Sequence, residues 1–197
     1  MTFIETVSEQ EATGLTAELY ARETEALGHL PNFTRAFSQR PDVYAAWRGL
    51  NRAIRHNMDL RRYELATIAA ARRLRSSYCM LAHGSVLIKE FMEPEVLRAT
   101  VADHRTAGAL SPEDMAVMDL ADKVADDATS VQQADIDRLR SAGLSDQDIL
   151  DVVLAAAVRC FFSKTLDALG VEPDSKYAEL DPDLRESLTV GRPIAQP

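Results

Sequence analysis

Cysteine is scarce in this chain: Cys79 and Cys160 are the only two among 197 residues. Two thiols make no disulfide framework, so a reducing compartment suits the chain best. No apolar run approaches the roughly 20 residues needed to cross a bilayer. The opening residues, Met1-Thr2-Phe3-Ile4-Glu5-Thr6, hold no basic stretch followed by an apolar core, which argues against a secretory signal. A cytoplasmic protein without a membrane partner is expected. Basic residues are also in deficit, 22 against 31 acidic, for a net charge of −9. That balance opposes a general nucleic-acid surface. The chain has no Gly-x-Gly-x-x-Gly run and no phosphate loop, and its few aromatic residues fall at helical core spacing. No cofactor is expected. No stretch sustains the alternation of a strand.

What remains is helical. Hydrophobic residues make up 46%, an ordinary share for a globular domain. Leu15, Leu19, Arg22 and Ala26 follow helical spacing, and Gly28 can end that helix. A short helix is expected over Phe33 to Ser38, and another from Pro41 to about Arg55. Asp59 can cap a helix ending near Arg75, and Ser76 or Ser77 the next, from Tyr78 to about Phe91. Ser111-Pro112, Ser130 with Gln133, and Ser145 with Asp148 read as further helix starts. The helix after Ser145 is apolar over most of its circumference, so it should be buried in the domain or in a subunit interface. Beyond Gly170 come four of the eight prolines. The segment 171–197 therefore reads as an extended tail beside a helical domain over 1–170, lying on another subunit in a homo-oligomer. Ala69-Ala70-Ala71-Arg72-Arg73 has a weak echo in Ala155-Ala156-Ala157-Val158-Arg159, a hint of two pseudo-repeated halves.

Chemistry concentrates between Glu64 and Gly84. Cys79 and His83 are four apart, so on a helix they share one face. A thiol beside an imidazole can pass its proton to it, and the thiolate is the nucleophile. With Ser76 as cap, Cys79 is the third helical residue and feels the positive end of the helix dipole. Glu64 can orient the histidine from one helix upstream. Arg61, Arg62, Arg72, Arg73 and Arg75 cluster in the same stretch, where a positive field would favour thiolate. A solvated helix face is the plainer reading of that cluster. Cysteine is commonly a small buried hydrophobe, and Cys160, among Val158, Phe161 and Phe162, reads as core filler. His29, His56 and His104 show no ligand spacing. Glu64, Cys79 and His83 lack the two further ligands a metal site needs, so no metal is expected.

The segment resembles the core motif of the AhpD-like alkylhydroperoxidase and carboxymuconolactone decarboxylase superfamily. That motif runs Glu, eleven residues, Cys, two residues, Cys, three residues, His. Counted from Glu64 it falls on Ser76, Cys79 and His83. Leu30-Pro31-Asn32-Phe33 with Arg40-Pro41, and Asp167-Ala168-Leu169-Gly170-Val171-Glu172, resemble the two ends of its peroxidase-related subgroup. The resemblance implies an all-α AhpD-like fold assembled as a trimer or hexamer. It implies that Cys79 attacks a hydroperoxide, with His83 and Glu64 relaying protons. Ser76 stands where the family has its resolving cysteine, and Tyr78 where it has a histidine, so both count as supporting positions. Without a cysteine at 76, reduction falls to an external thiol or, after rearrangement, to Cys160. The same resemblance admits a decarboxylase-like enzyme acting on a small lactone or organic acid, and a non-enzymatic oligomer with a vestigial site.

Overall fold

The computed structural model describes residues 2–196. Among them no strand occurs, and ten α-helices account for most of the chain. In order they are α1 (Gly14–Leu27), α2 (Asn32–Ala36), α3 (Pro41–Asn57), α4 (Leu60–Arg73), α5 (Ser77–Glu90), α6 (Pro94–Asp103), α7 (Pro112–Asp127), α8 (Gln133–Ser141), α9 (Asp146–Ala168) and α10 (Pro182–Leu188). None is long and apolar enough to cross a membrane.

The centre is α4. Every residue from Tyr63 to Ala71 is buried, because α5, α7 and α9 cover it from three sides. Ala66, Ala69, Ala70 and Ala71 make that approach possible: small side chains let the neighbouring helices come close while keeping high helix propensity. Asp59 fixes the start of α4, accepting the Arg62 amide at 2.9 Å. Ser111 with Asp114, and Ser145 with Asp148, form reciprocal capping boxes at α7 and α9. Gly28 closes α1 with φ +76°, a conformation that suits glycine.

Two expectations are corrected. The cap before α8 is Gln132 with Asp135, not Ser130 with Gln133. Asp127 draws in the amide and hydroxyl of Thr129, so residues 128–130 close a tight turn and Ser130 Oγ donates back to the Asp127 carbonyl. Helix α9 has one side in the core of this chain and one side open, where Leu150, Leu154 and Phe161 lie 55%, 37% and 46% exposed. The segment after Gly170 is no extended tail. It makes a 3-10 turn over Ser175–Glu179 and then α10, whose Asp181 accepts the amides of Asp183 and Leu184. Pro182 stands in the first turn, where its missing N–H costs nothing. Leu184 and Leu188, one turn apart, bury against this same chain at α5 and α6.

Candidate functional site

The chain reverses between α4 and α5 through Arg75, which holds φ +57° without being glycine. Ser76 N bonds back to the Ala71 carbonyl at 2.9 Å, so the reversal is tight. It sets the start of α5 beside the middle of α4, and makes Cys79 the third residue of α5. Cys79 is buried. Its Sγ accepts from Ser163 Oγ at 3.2 Å and from Arg159 Nη1 at 3.5 Å, both on α9. One turn later on α5, His83 Nδ1 lies 2.5 Å from Glu64 Oε2. A carboxylate only accepts, so Nδ1 carries the proton and Nε2 is left with a free lone pair. Burial sets the character of this pair. It pushes His83 below its ordinary 6.5, with Arg159 and Arg55 adding to the fall while Glu64 opposes it. Burial alone would raise Glu64, but His83, Arg55 and Arg159 outweigh it and hold the carboxyl below its ordinary range.

Arg159 is fully buried. Burial works against its charge, yet Cys79, Tyr63 and Glu64 together keep the guanidinium above its usual range. Its Nη2 donates to Tyr63 Oη at 3.1 Å, and Tyr63 in turn donates to Asn51 at 2.8 Å. One guanidinium thus ties the thiol to a phenol on α4. An orphaned charge in a core is costly, so a buried arginine must be held by such partners.

The arginines of the motif do not build this field. Arg61 pairs with Asp114, Arg62 with Glu113 and Asp148, and Arg73 with Asp122. Arg72 and Arg75 donate to the carbonyls of Ala102 and Val190. Each turns to another part of the chain: carboxylates on α7 and α9 hold Arg61, Arg62 and Arg73, and backbone carbonyls hold Arg72 and Arg75. The cation at the thiol is Arg159 instead, while Arg55 acts on Glu64 and His83. Ser76 is likewise neither a donor to Cys79 nor a cap by its side chain. Its Oγ is buried near Asp167, whose carboxyl burial raises while Ser76 and Arg192 lower it. Ser77 holds the tail, accepting the Gly191 amide at 2.8 Å. Tyr78 donates to Asp174 at 2.5 Å, and the same carboxylate accepts the Asn32 amide at 2.8 Å. Cys160 is only partly buried, with its thiol raised chiefly by what burial it has.

Glu64, Cys79, His83, Tyr78 and Arg159 line one cavity of about 1280 Å³. Its far walls come from α3 and α9, including Trp47, Arg52, Arg55 and Phe162. Among the described residues, no group of three or more His, Cys, Asp or Glu is gathered as a metal would require. Arg159 and Ser163 are the functional candidates that sequence reasoning missed. The signal was present: Arg159 is the single charge between Val152 and Ser163.

No protein-family model matches the sequence, and no curated protein does. Solved structures do match in fold. An uncharacterized peroxidase-related protein from Ralstonia eutropha JMP134, described as an alkylhydroperoxidase AhpD core, superposes with TM-score 0.81 at 21% identity, over 89% of this chain and 94% of that one. An uncharacterized peroxidase-related protein from Silicibacter sp. TM1040 gives TM-score 0.74 at 20% identity, over 90% and 91%. A cysteine-to-alanine variant of the debrominase Bmp8, in complex with 2,3,4-tribromopyrrole, gives 0.73 at 14% identity, over 95% and 96%. The chain therefore has the all-α AhpD-like fold.

Proposed function

We propose that this AhpD-like chain is a thiol-dependent peroxidase, with Cys79 as nucleophile. The observation that carries the reading is the setting of Cys79 Sγ, which receives a buried guanidinium and a hydroxyl at the edge of a large cavity. Both contacts favour negative charge on sulfur. The thiolate attacks the terminal oxygen of a hydroperoxide. The O–O bond breaks, the sulfur becomes a sulfenic acid, and the alkoxide takes a proton. His83 Nε2 accepts the thiol proton and returns it to that alkoxide, while Glu64 holds the ring in the tautomer this requires. The sulfenic acid condenses with an external thiol, losing water, and a second thiol releases Cys79 as the product disulfide leaves.

A halogenated ring is a second electrophile for the same sulfur, and the aromatic cavity wall with the debrominase neighbour favours it. There the thiolate takes the halogen, the ring carbon takes a proton, an external thiol displaces halide to leave a mixed disulfide, and a second thiol releases Cys79 as the product disulfide leaves. A decarboxylase in which Cys79 is incidental is disfavoured by the two donors spent on its sulfur.

One hydroperoxide equivalent should add one oxygen to the intact chain, located at Cys79, and none to Cys79→Ser. Arg159→Met should slow that oxidation about ten- to a hundredfold, since a bond to a charged group contributes about 1.5–3 kcal/mol. In Ser76→Cys the oxygen should be replaced by an intramolecular disulfide. Oxidation at Cys160 with Cys79 untouched would reject the reading, and halide release without oxygen transfer would favour the second.

A further inference from the structure

The cavity is larger than a hydroperoxide group needs, and its walls are of two kinds. One is a stack of rings: Trp47 lies on Phe162 at 4.1 Å and 12°, with Tyr44 stacked beyond at 6.0 Å. Trp47 Nε1 is buried with no hydrogen-bond partner. The other is a basic stripe on α3, the helix that also carries Tyr44 and Trp47, where Arg48, Arg52 and Arg55 succeed one another at helical spacing. Arg48 is paired with Glu23. Among the described residues no carboxylate forms an ion pair with Arg52 or Arg55, and the Arg55 guanidinium sits 5.0 Å over the Tyr63 ring. Most carboxylates of the lining are engaged elsewhere: Glu64 with His83, Glu90 with Lys89, Asp174 with Tyr78 and Asn32. Arg48 itself is held below its ordinary range, first by burial and then by Arg22 and Arg52. Cations and carboxylates balance over the whole lining, so the positive charge is local to this stripe of α3, beside the rings.

We propose that the cavity takes the anion of a flat organic acid, with its ring against Trp47 and Phe162 and its carboxylate on Arg52 and Arg55. A guanidinium offers a carboxylate two parallel N–H bonds, and offset ring stacking holds the body of the ligand. The proposal rests on the thiol reading only for the reaction of the bound ligand, whose reactive end it turns towards Cys79. Binding itself needs no chemistry.

Trp47 is the only tryptophan in the chain, so intrinsic fluorescence reports on this wall alone. Benzoate, benzamide and acetate are titrated into the full chain and into Cys79→Ser. Benzoate should bind at least tenfold more tightly than either of the others, in both proteins. In the Arg52→Gln/Arg55→Gln double variant, benzoate should fall to the level of benzamide, whose own binding stays unchanged. Arg55→Lys should keep most of the preference. Should the double variant lose its helical circular dichroism, Arg52→Gln alone, at an exposed site, should still weaken benzoate at least threefold. Equal binding of benzoate and benzamide, binding of no probe, or a preference that survives loss of both arginines would overturn the proposal. Tight benzoate binding in a wild-type chain that gains no oxygen from hydroperoxide would keep this site and remove the thiol reading.

Discussion

His83 stands between opposite pulls, and the outcome can be measured. Burial, Arg159 and Arg55 depress it below 6.5, and Glu64 lies below its ordinary 4.5. Proton linkage sets the signs. Below 6.5 the unfolded chain protonates His83 while the folded chain resists, so stability falls as pH drops through that window. Below 4.5 the unfolded chain also protonates Glu64 before the folded chain does, and stability falls again. Urea midpoints should therefore decline from pH 7 to 5.5, and further to pH 4. His83→Gln should flatten the first interval and, by removing the main support of the Glu64 charge, shrink the second. An equal first decline in that variant would show that another group is responsible. Glu64, Cys79 and His83 were legible as a group because Cys79 and His83 are one turn apart on one helix and Glu64 reaches His83 from the adjacent one. Arg159 and Ser163 were not, since they meet Cys79 only across 80 and 84 residues of chain. The partners of the motif's arginines were out of local view for the same reason, since those of Arg61, Arg62 and Arg73 lie on α7 and α9.

At the scale of elements, Gly84 decides how closely α10 lies on α5. A methyl group there would come within 2.8 Å of Leu188 Cδ1 and 3.4 Å of Leu97 Cδ2. Alanine in a helix gains about 1 kcal/mol over glycine. Overpacking costs about 1–3 kcal/mol. Leu188 is wholly buried and has nowhere to swing, so the cost should win. Gly84→Ala should lower stability, and adding Leu188→Val should recover much of the loss. Paired urea titrations decide it, and a Gly84→Ala chain more stable than wild type would refute the close packing. Caps made by adjacent residues, as at Asp59, Ser111 and Ser145, could be read from sequence. Helix α10 could not, because its prolines suggest an irregular chain and its cover comes from α5 and α6, far upstream.

For the whole molecule, the open stripe of α9 is the feature with consequences for assembly. Leu150, Leu154 and Phe161 stand on one side of a helix whose other side is core. Light scattering at micromolar concentration should give a mass of several chains. Leu154→Glu with Phe161→Glu should reduce it to one, and a one-chain mass for the wild type would leave the stripe unexplained. The all-α architecture was readable from periodicity and caps, whereas the walls of the cavity come from α3, α5, α9 and residues 174–180, which no local pattern connects. That dispersal has a consequence for biosynthesis. Cys79 leaves the ribosome 84 residues before Ser163. At about 5–20 residues per second that interval lasts about 4–17 seconds. Through it the nascent thiol has neither its guanidinium nor its hydroxyl, and the cavity lacks the wall that α9 supplies. The cysteine is then an ordinary exposed side chain, so any selectivity of Cys79 towards oxidants begins only when translation has passed α9.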